Sequence, residues 1–194
     1  MNVKLIIVCI IMGMHNLVYA DQYQENRLAH EVRVSLNATE IGLVSQKMDS
    51  SNQKQQQIWI DTMSNRMEKW VSNELVRKKL LTIIKYESTR SGLDPQLVLS
   101  IITIESGFNK YAISQAGALG FMQIMPFWLK KIGSKNQSLL DAQTNIRYGC
   151  SILKHYLELE HGNLYNALGR YNGSRGDHTY PDLVLNAYNK YWQT

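Results

Sequence analysis

The chain is poor in cysteine, in proline and in long apolar runs, and each shortage removes a class of protein. It has two cysteines in 194 residues, and Cys9 lies within the first twenty. Loss of that segment would leave Cys150 alone, so no internal disulfide can form even in an oxidising compartment and the fold must stand on its core. The first of the three prolines is Pro95, so none interrupts a helix ahead of it. No run reaches the roughly 20 apolar residues that a membrane span needs. Cations are in excess, 21 against 16 acids, but they are scattered, with Arg77-Lys78-Lys79 and Lys130-Lys131 as the only pairs or triplets. No nucleic-acid motif accompanies them, which argues against nucleic acid and for an anionic surface or polymer as partner. His155 and His161 lack the acid and histidine neighbours of a ligand set, so no metal and no cofactor is expected. Internal repeats are absent.

What is present divides the chain in three. Residues 1–20 carry Lys4, an apolar stretch from Leu5 to Met12 that is too short to span, and Val18-Tyr19-Ala20 before Asp21. This is the pattern of an export signal cut after Ala20, leaving an exported, periplasmic chain with no stable membrane insertion. Residues 21–60 are polar and Gln-rich, with loose helical spacing at Leu28, Val32 and Leu36, then Ile41, Val44 and Met48. They read as a helical or partly disordered extension, with Asp49 to Gln57 as a linker or solvated helix. Residues 61–194 are long enough for one domain. Apolar positions recur at three- and four-residue steps through Met63, Met67, Trp70 or Val71, Leu75, Leu80, Leu81 and Ile84, predicting one or two helices in an all-α fold.

The stretch from Leu97 to Pro126 organises the rest. Asp94-Pro95 is an N-cap and first helical residue, and Gly107 is a stop, so Glu105 falls in the last turn of a helix. Steps of four back from Glu105 reach Ile101 and Leu97, which puts the acid on an apolar stripe. Partial burial and the negative end of the helix dipole both raise its pKa toward that of a general acid. Further on, Asn145, Ile146, Gly149 and Cys150 open a structural helix whose buried face is Ile152, Leu153, Tyr156 and Leu157, and Gly162-Asn163 turns into another helix.

These motifs resemble the soluble lytic transglycosylases of the goose-type lysozyme superfamily. The resemblance lies in Glu105-Ser106, then Ser114, then the run Gly117-Ala118-Leu119-Gly120-Phe121-Met122-Gln123-Ile124-Met125-Pro126, then Asn145-Ile146 with Gly149, and finally Ala167-Leu168 leading to Tyr171-Asn172-Gly173. It spans Ile83 to Trp192 and implies a lysozyme-like domain acting on the glycan strands of peptidoglycan. Glu105 is the implied acid and base. Ser106, Ser114, Gln123, Tyr171, Asn172 and Tyr180 are implied to position it or the sugar. Gly120 would allow close approach of the glycan, and Met122 would lie against a sugar face. Phe121 stands where leucine is commoner, Arg170 where alanine is, and Gly173 arrives one step early.

The resemblance implies non-hydrolytic cleavage between N-acetylmuramic acid and N-acetylglucosamine, giving a 1,6-anhydro end. It also implies partners in secretion, conjugation or pilus machinery that spans the envelope. Two alternatives stay open. A muramidase that uses water needs a second acid, such as Asp141, in the cleft. A glycan-binding assembly factor would recruit its machine through residues 21–60 and cut little.

Overall fold

The computed structural model describes residues 50–132 and 137–194. The expected export signal, its expected cleavage after Ala20 and the extension up to residue 49 lie outside the described residues. Among the described residues are seven α-helices, α1 Ser50–Met67, α2 Glu74–Arg90, α3 Pro95–Glu105, α4 Phe127–Ile132, α5 Ala142–Leu159, α6 Leu164–Asn172 and α7 Thr179–Ala187, with a closing π-helical turn Tyr188–Trp192. Among the described residues there is no strand, only isolated antiparallel bridges pairing Ile113 with Leu119 and Leu119 with Ile124. The all-α expectation holds.

The centre of the fold is α3. Leu97, Val98, Leu99, Ser100, Ile101 and Ile102 are all buried, so the helix is enclosed all round rather than along one stripe. It packs against α2, α7 and the closing turn. Its start follows the expected chemistry: the Asp94 side chain accepts from the Gln96 N–H, and Pro95 occupies the first turn. Its one buried hydroxyl, on Ser100, donates back to the Gln96 carbonyl at 2.7 Å, which satisfies it without leaving the helix. The helix ends at Glu105, and Gly107 continues the chain at φ +54, a region glycine enters without strain.

α1 runs through residue 60, where composition placed a boundary. Residues 53–58 are mostly polar and largely exposed, while Ile60, Met63 and Met67 enter the core. The apolar spacing read onward to Leu75 fails there, because Leu75 is 63% exposed. Residues 68–73 break the helix, and α2 restarts behind its Asn73 cap with a new phase. In that phase Leu80, Leu81 and Ile84 point inward while Leu75 points out.

Two charged residues tie the helices together. Arg77, part of the basic triplet, is buried and donates to Ser64 Oγ and to the Val71 and Ser72 carbonyls. Glu87 is fully enclosed between α2 and α5, flanked by Arg90 at 3.1 Å and Arg147 at 3.4 Å and accepting from Gln143 at 3.1 Å. A buried carboxylate is tolerated only when paired in this way. It fixes the first turns of α5, which matters for the site below.

Candidate active site

The last turn of α3 presents Glu105 to a partly open position, and α7 brings Tyr180 to it. The Tyr180 hydroxyl donates to Glu105 Oε1 at 2.6 Å, the short length of a bond to a charged acceptor. Burial pushes the Glu105 carboxyl up to about 7, with the Tyr180 hydrogen bond pulling the other way. Burial and the neighbouring Glu105 charge hold the Tyr180 phenol well above its ordinary value, so it remains a donor. An acid that titrates near neutrality can both give and take a proton under the same conditions.

The opposition in that pair makes a direct prediction. Tyr180→Phe keeps the ring but removes the bond that favours the carboxylate, so the Glu105 pKa should rise further. The alkaline limb of kcat/KM should move up by about one pH unit. A pH profile of the variant checks this, and a limb that stays in place would exclude the bond as a tuning element.

Residues 106–126 form the wall next to the acid. Ser106 Oγ donates to the Phe121 carbonyl at 2.8 Å, tying the residue after the acid to the far end of the loop. Ser114 Oγ accepts from the Ala118 N–H at 3.0 Å, so its hydroxyl closes a turn. Gln123 has φ +50, a conformation a non-glycine residue adopts only when its surroundings hold it there. Its amide nitrogen donates to the Ala112 and Gly120 carbonyls at 3.2 and 2.9 Å, which leaves the amide oxygen as its accepting end.

Met122 and Gly120 lie deeper than a sugar wall would. Met122 is fully buried, and a methyl group on Gly149 would sit 2.3 Å from its sulfur. It reaches the site through its backbone: its carbonyl accepts from the Tyr171 hydroxyl at 2.8 Å. Gly120 is also buried, and what approaches it closely is Asn145, whose Nδ2 would lie 2.5 Å from an added Cβ. Asn172 is exposed and accepts from Ser174 Oγ at 3.0 Å. The structure thus joins Glu105 to Tyr180 directly and joins Tyr171 to the wall through Met122. Ser114, Gln123 and Asn172 bond to other groups than the acid.

Asn145, read from sequence as part of a structural helix opening, is the residue that holds the wall in place. Completely buried, it accepts from the Met122 N–H at 2.7 Å and donates to the Leu119 and Leu139 carbonyls at 2.8 Å each. Asp141, the second acid a muramidase would need, caps α5 instead. Burial pushes its carboxyl up, but bonds from Thr144 and Gln143 together with the Lys110 charge outweigh this and hold it below the usual range. Arg170, where alanine is commoner, pairs with Glu160.

A helical domain whose described residues set one buried, tyrosine-held carboxyl at the end of the central helix has a lysozyme-like architecture. The transglycosylase SLT domain model matches residues 82–189, and the chain belongs to that family. It is similar to the membrane-bound lytic murein transglycosylase C of Mannheimia succiniciproducens, 41% identical over 85 residues that make up 39% of this chain and 24% of that one. Its likeness to the protein of the same name from Photorhabdus laumondii is longer, 32% over 152 residues, covering 69% of this chain and 41% of the relative. The chain therefore spans less than half the length of these relatives. Among solved structures, the lytic transglycosylase Slt of Pseudomonas aeruginosa aligns with a TM-score of 0.45 and 25% identity, over 57% of this chain and 21% of that one.

Proposed function

We propose that the protein is a peptidoglycan lytic transglycosylase that cuts the β-1,4 bond between N-acetylmuramic acid and N-acetylglucosamine without water. The observation that carries this reading is the solitary carboxyl. Among the described residues Glu105 meets Tyr180 and no second acid, and the other carboxylates near the helix ends are engaged elsewhere: Asp94 and Asp141 as caps, Glu87 and Glu160 with arginines. Glycosidases that use water usually set two carboxyls about 5–10 Å apart. One acid suffices when the nucleophile belongs to the substrate.

In this mechanism protonated Glu105 gives its proton to the bridging oxygen as the C1–O bond breaks. The N-acetyl group supports the developing positive charge. The resulting Glu105 carboxylate then takes the proton of the muramoyl C6 hydroxyl, whose oxygen closes on C1. The product is a 1,6-anhydro end, and the acid returns to its starting state. Intramolecular attack draws its acceleration from positioning, which a rigid wall supplies.

Mass spectrometry of soluble muropeptides, released from purified peptidoglycan by the exported chain and by Glu105→Gln side by side, tests the reading. Anhydro ends from the wild type alone are expected. Reducing ends would instead mean hydrolysis, and no products from either protein would favour a glycan-binding role. The same reading has the chain exported behind residues 1–20 and serving an envelope-spanning machine. Removing residues 21–49, which stops short of α1, should leave cutting of isolated glycan intact while losing the partner.

A further inference from the structure

Glu160 follows α5 directly, where a carboxylate faces the negative end of the helix dipole. Nothing about the helix itself calls for an acid there. The side chain is nonetheless buried, 6% exposed, and two guanidinium groups hold it. Arg170 of α6 pairs with Oε1, and Arg175 of the following loop places Nε 2.7 Å from Oε1 and Nη2 3.1 Å from Oε2. Such a forked contact fixes direction as well as distance.

What the fork fixes is the connection between α6 and α7. Gly173 ends α6 at φ +83, and the chain folds back so that the Ser174 N–H donates to the Gly169 carbonyl at 2.7 Å. The loop sits flush on the helix, since an added Cβ on Gly169 would lie 3.0 Å from the Arg175 Cα. From Arg175 the route to α7 is short and itself bonded: the Asp177 N–H donates to the Ser174 carbonyl at 2.9 Å, and Asp177 Oδ1 accepts from the Thr179 N–H at 2.8 Å. The next residue is Tyr180, whose hydroxyl meets Glu105. On the other side of the clamp, Arg170 immediately precedes Tyr171, which bonds the Met122 carbonyl. One carboxylate therefore stands behind both tyrosines.

We propose that Glu160 is a positioning residue, its two arginine contacts fixing the loop that delivers Tyr180 to Glu105. The catalytic consequence rests on the transglycosylase reading; the structural consequence does not. The titratable groups facing Glu105 from the packed helices are Tyr180 of α7 and Tyr171 of α6. Those facing Glu160 are Arg170 and Arg175. Releasing the fork acts on Glu105 through the Tyr180 bond.

The test titrates Glu105 by NMR in the full chain labelled at glutamate side-chain carboxyl carbons, assigned by comparison with Glu105→Gln, so that no turnover is needed. Glu160→Gln should move the Glu105 titration upward by as much as about one pH unit, in the same direction as Tyr180→Phe. The double variant should move it no further than Tyr180→Phe alone, because both changes act on one bond. Arg175→Gln, at a side chain 52% exposed, is the second probe and keeps the Arg170 pair if Glu160→Gln does not fold. A folded Glu160→Gln or Arg175→Gln with an unmoved titration, or a double variant whose shifts simply add, would overturn the proposal. If the titrations move as expected but no glycan is cut, the positioning role stands and the transglycosylase reading is what fails.

Discussion

Glu105→Gln should lose roughly a thousandfold or more in glycan cleavage while becoming more stable at neutral and alkaline pH. The two effects share one cause. The amide keeps the shape of the carboxyl and still accepts from Tyr180, but it has no proton to give. In the wild type the folded state holds the Glu105 carboxyl up at about 7 against its ordinary value of 4.5. A raised carboxyl pKa means that ionisation is resisted by the fold. Its contribution to stability is therefore greatest below the unfolded value and falls away as pH rises to the folded one. That difference amounts to about 3 kcal/mol at most, a penalty that glutamine does not carry. Urea unfolding at pH 5 and pH 8 should show the two proteins close together at the lower pH and the variant ahead at the higher. The wild-type pH profile should agree, with kcat/KM falling tenfold per pH unit above about 7 as the proton donor is lost. Equal stability at both pH values would remove the claim that the acid sits under strain.

Much of α3 and its acid is legible in the residues themselves. Asp94-Pro95 starts a helix for reasons of capping and fixed φ, and Gly107 stops it, so Glu105 falls in the last turn whatever surrounds it. The apolar spacing around it announces burial, and burial announces a raised pKa. What periodicity does not announce is the partner, because Tyr180 lies 75 residues away and is brought to the acid only by the packing of α7 on α3. The same limit hid Arg77 and Glu87. Charged residues read as solvated until a fold supplies their counter-groups, and those sit on other helices. Leu75 failed for a different reason: a spacing carried across the break at residues 68–73 loses its phase. Met122 and Gly120 show how a motif misleads at the level of side chains. Their place in the glycine-rich run is right beside the acid, yet their own faces are turned inward to Gly149 and Asn145.

That inward turn makes Asn145 the most consequential residue outside the acid. Asn145→Ala leaves the Met122 N–H and the Leu119 and Leu139 carbonyls without their partner in a buried place. An orphaned buried group costs about 1–3 kcal/mol, so a loss of about 4 kcal/mol is expected, a large share of the 5–15 kcal/mol typical of a domain. Asn145→Asp separates the donor from the acceptor function. It keeps an oxygen for the Met122 N–H but points a second one at two carbonyls, so the folded state should resist its ionisation. Its stability should rise as pH falls, since a protonated aspartate can donate to one of those carbonyls again. Gly120→Ala attacks the same contact from the other side. The new Cβ would lie 2.5 Å from Asn145 Nδ2 and 2.7 Å from the Leu139 carbonyl, at φ +76. Combining it with Asn145→Ala should cost less than the sum of the two, because removing the amide opens part of the space the methyl group needs. Urea midpoints of the single and double variants measure that difference. Strict additivity would mean that the Leu139 carbonyl and the backbone angle, rather than the amide, are what keep residue 120 a glycine.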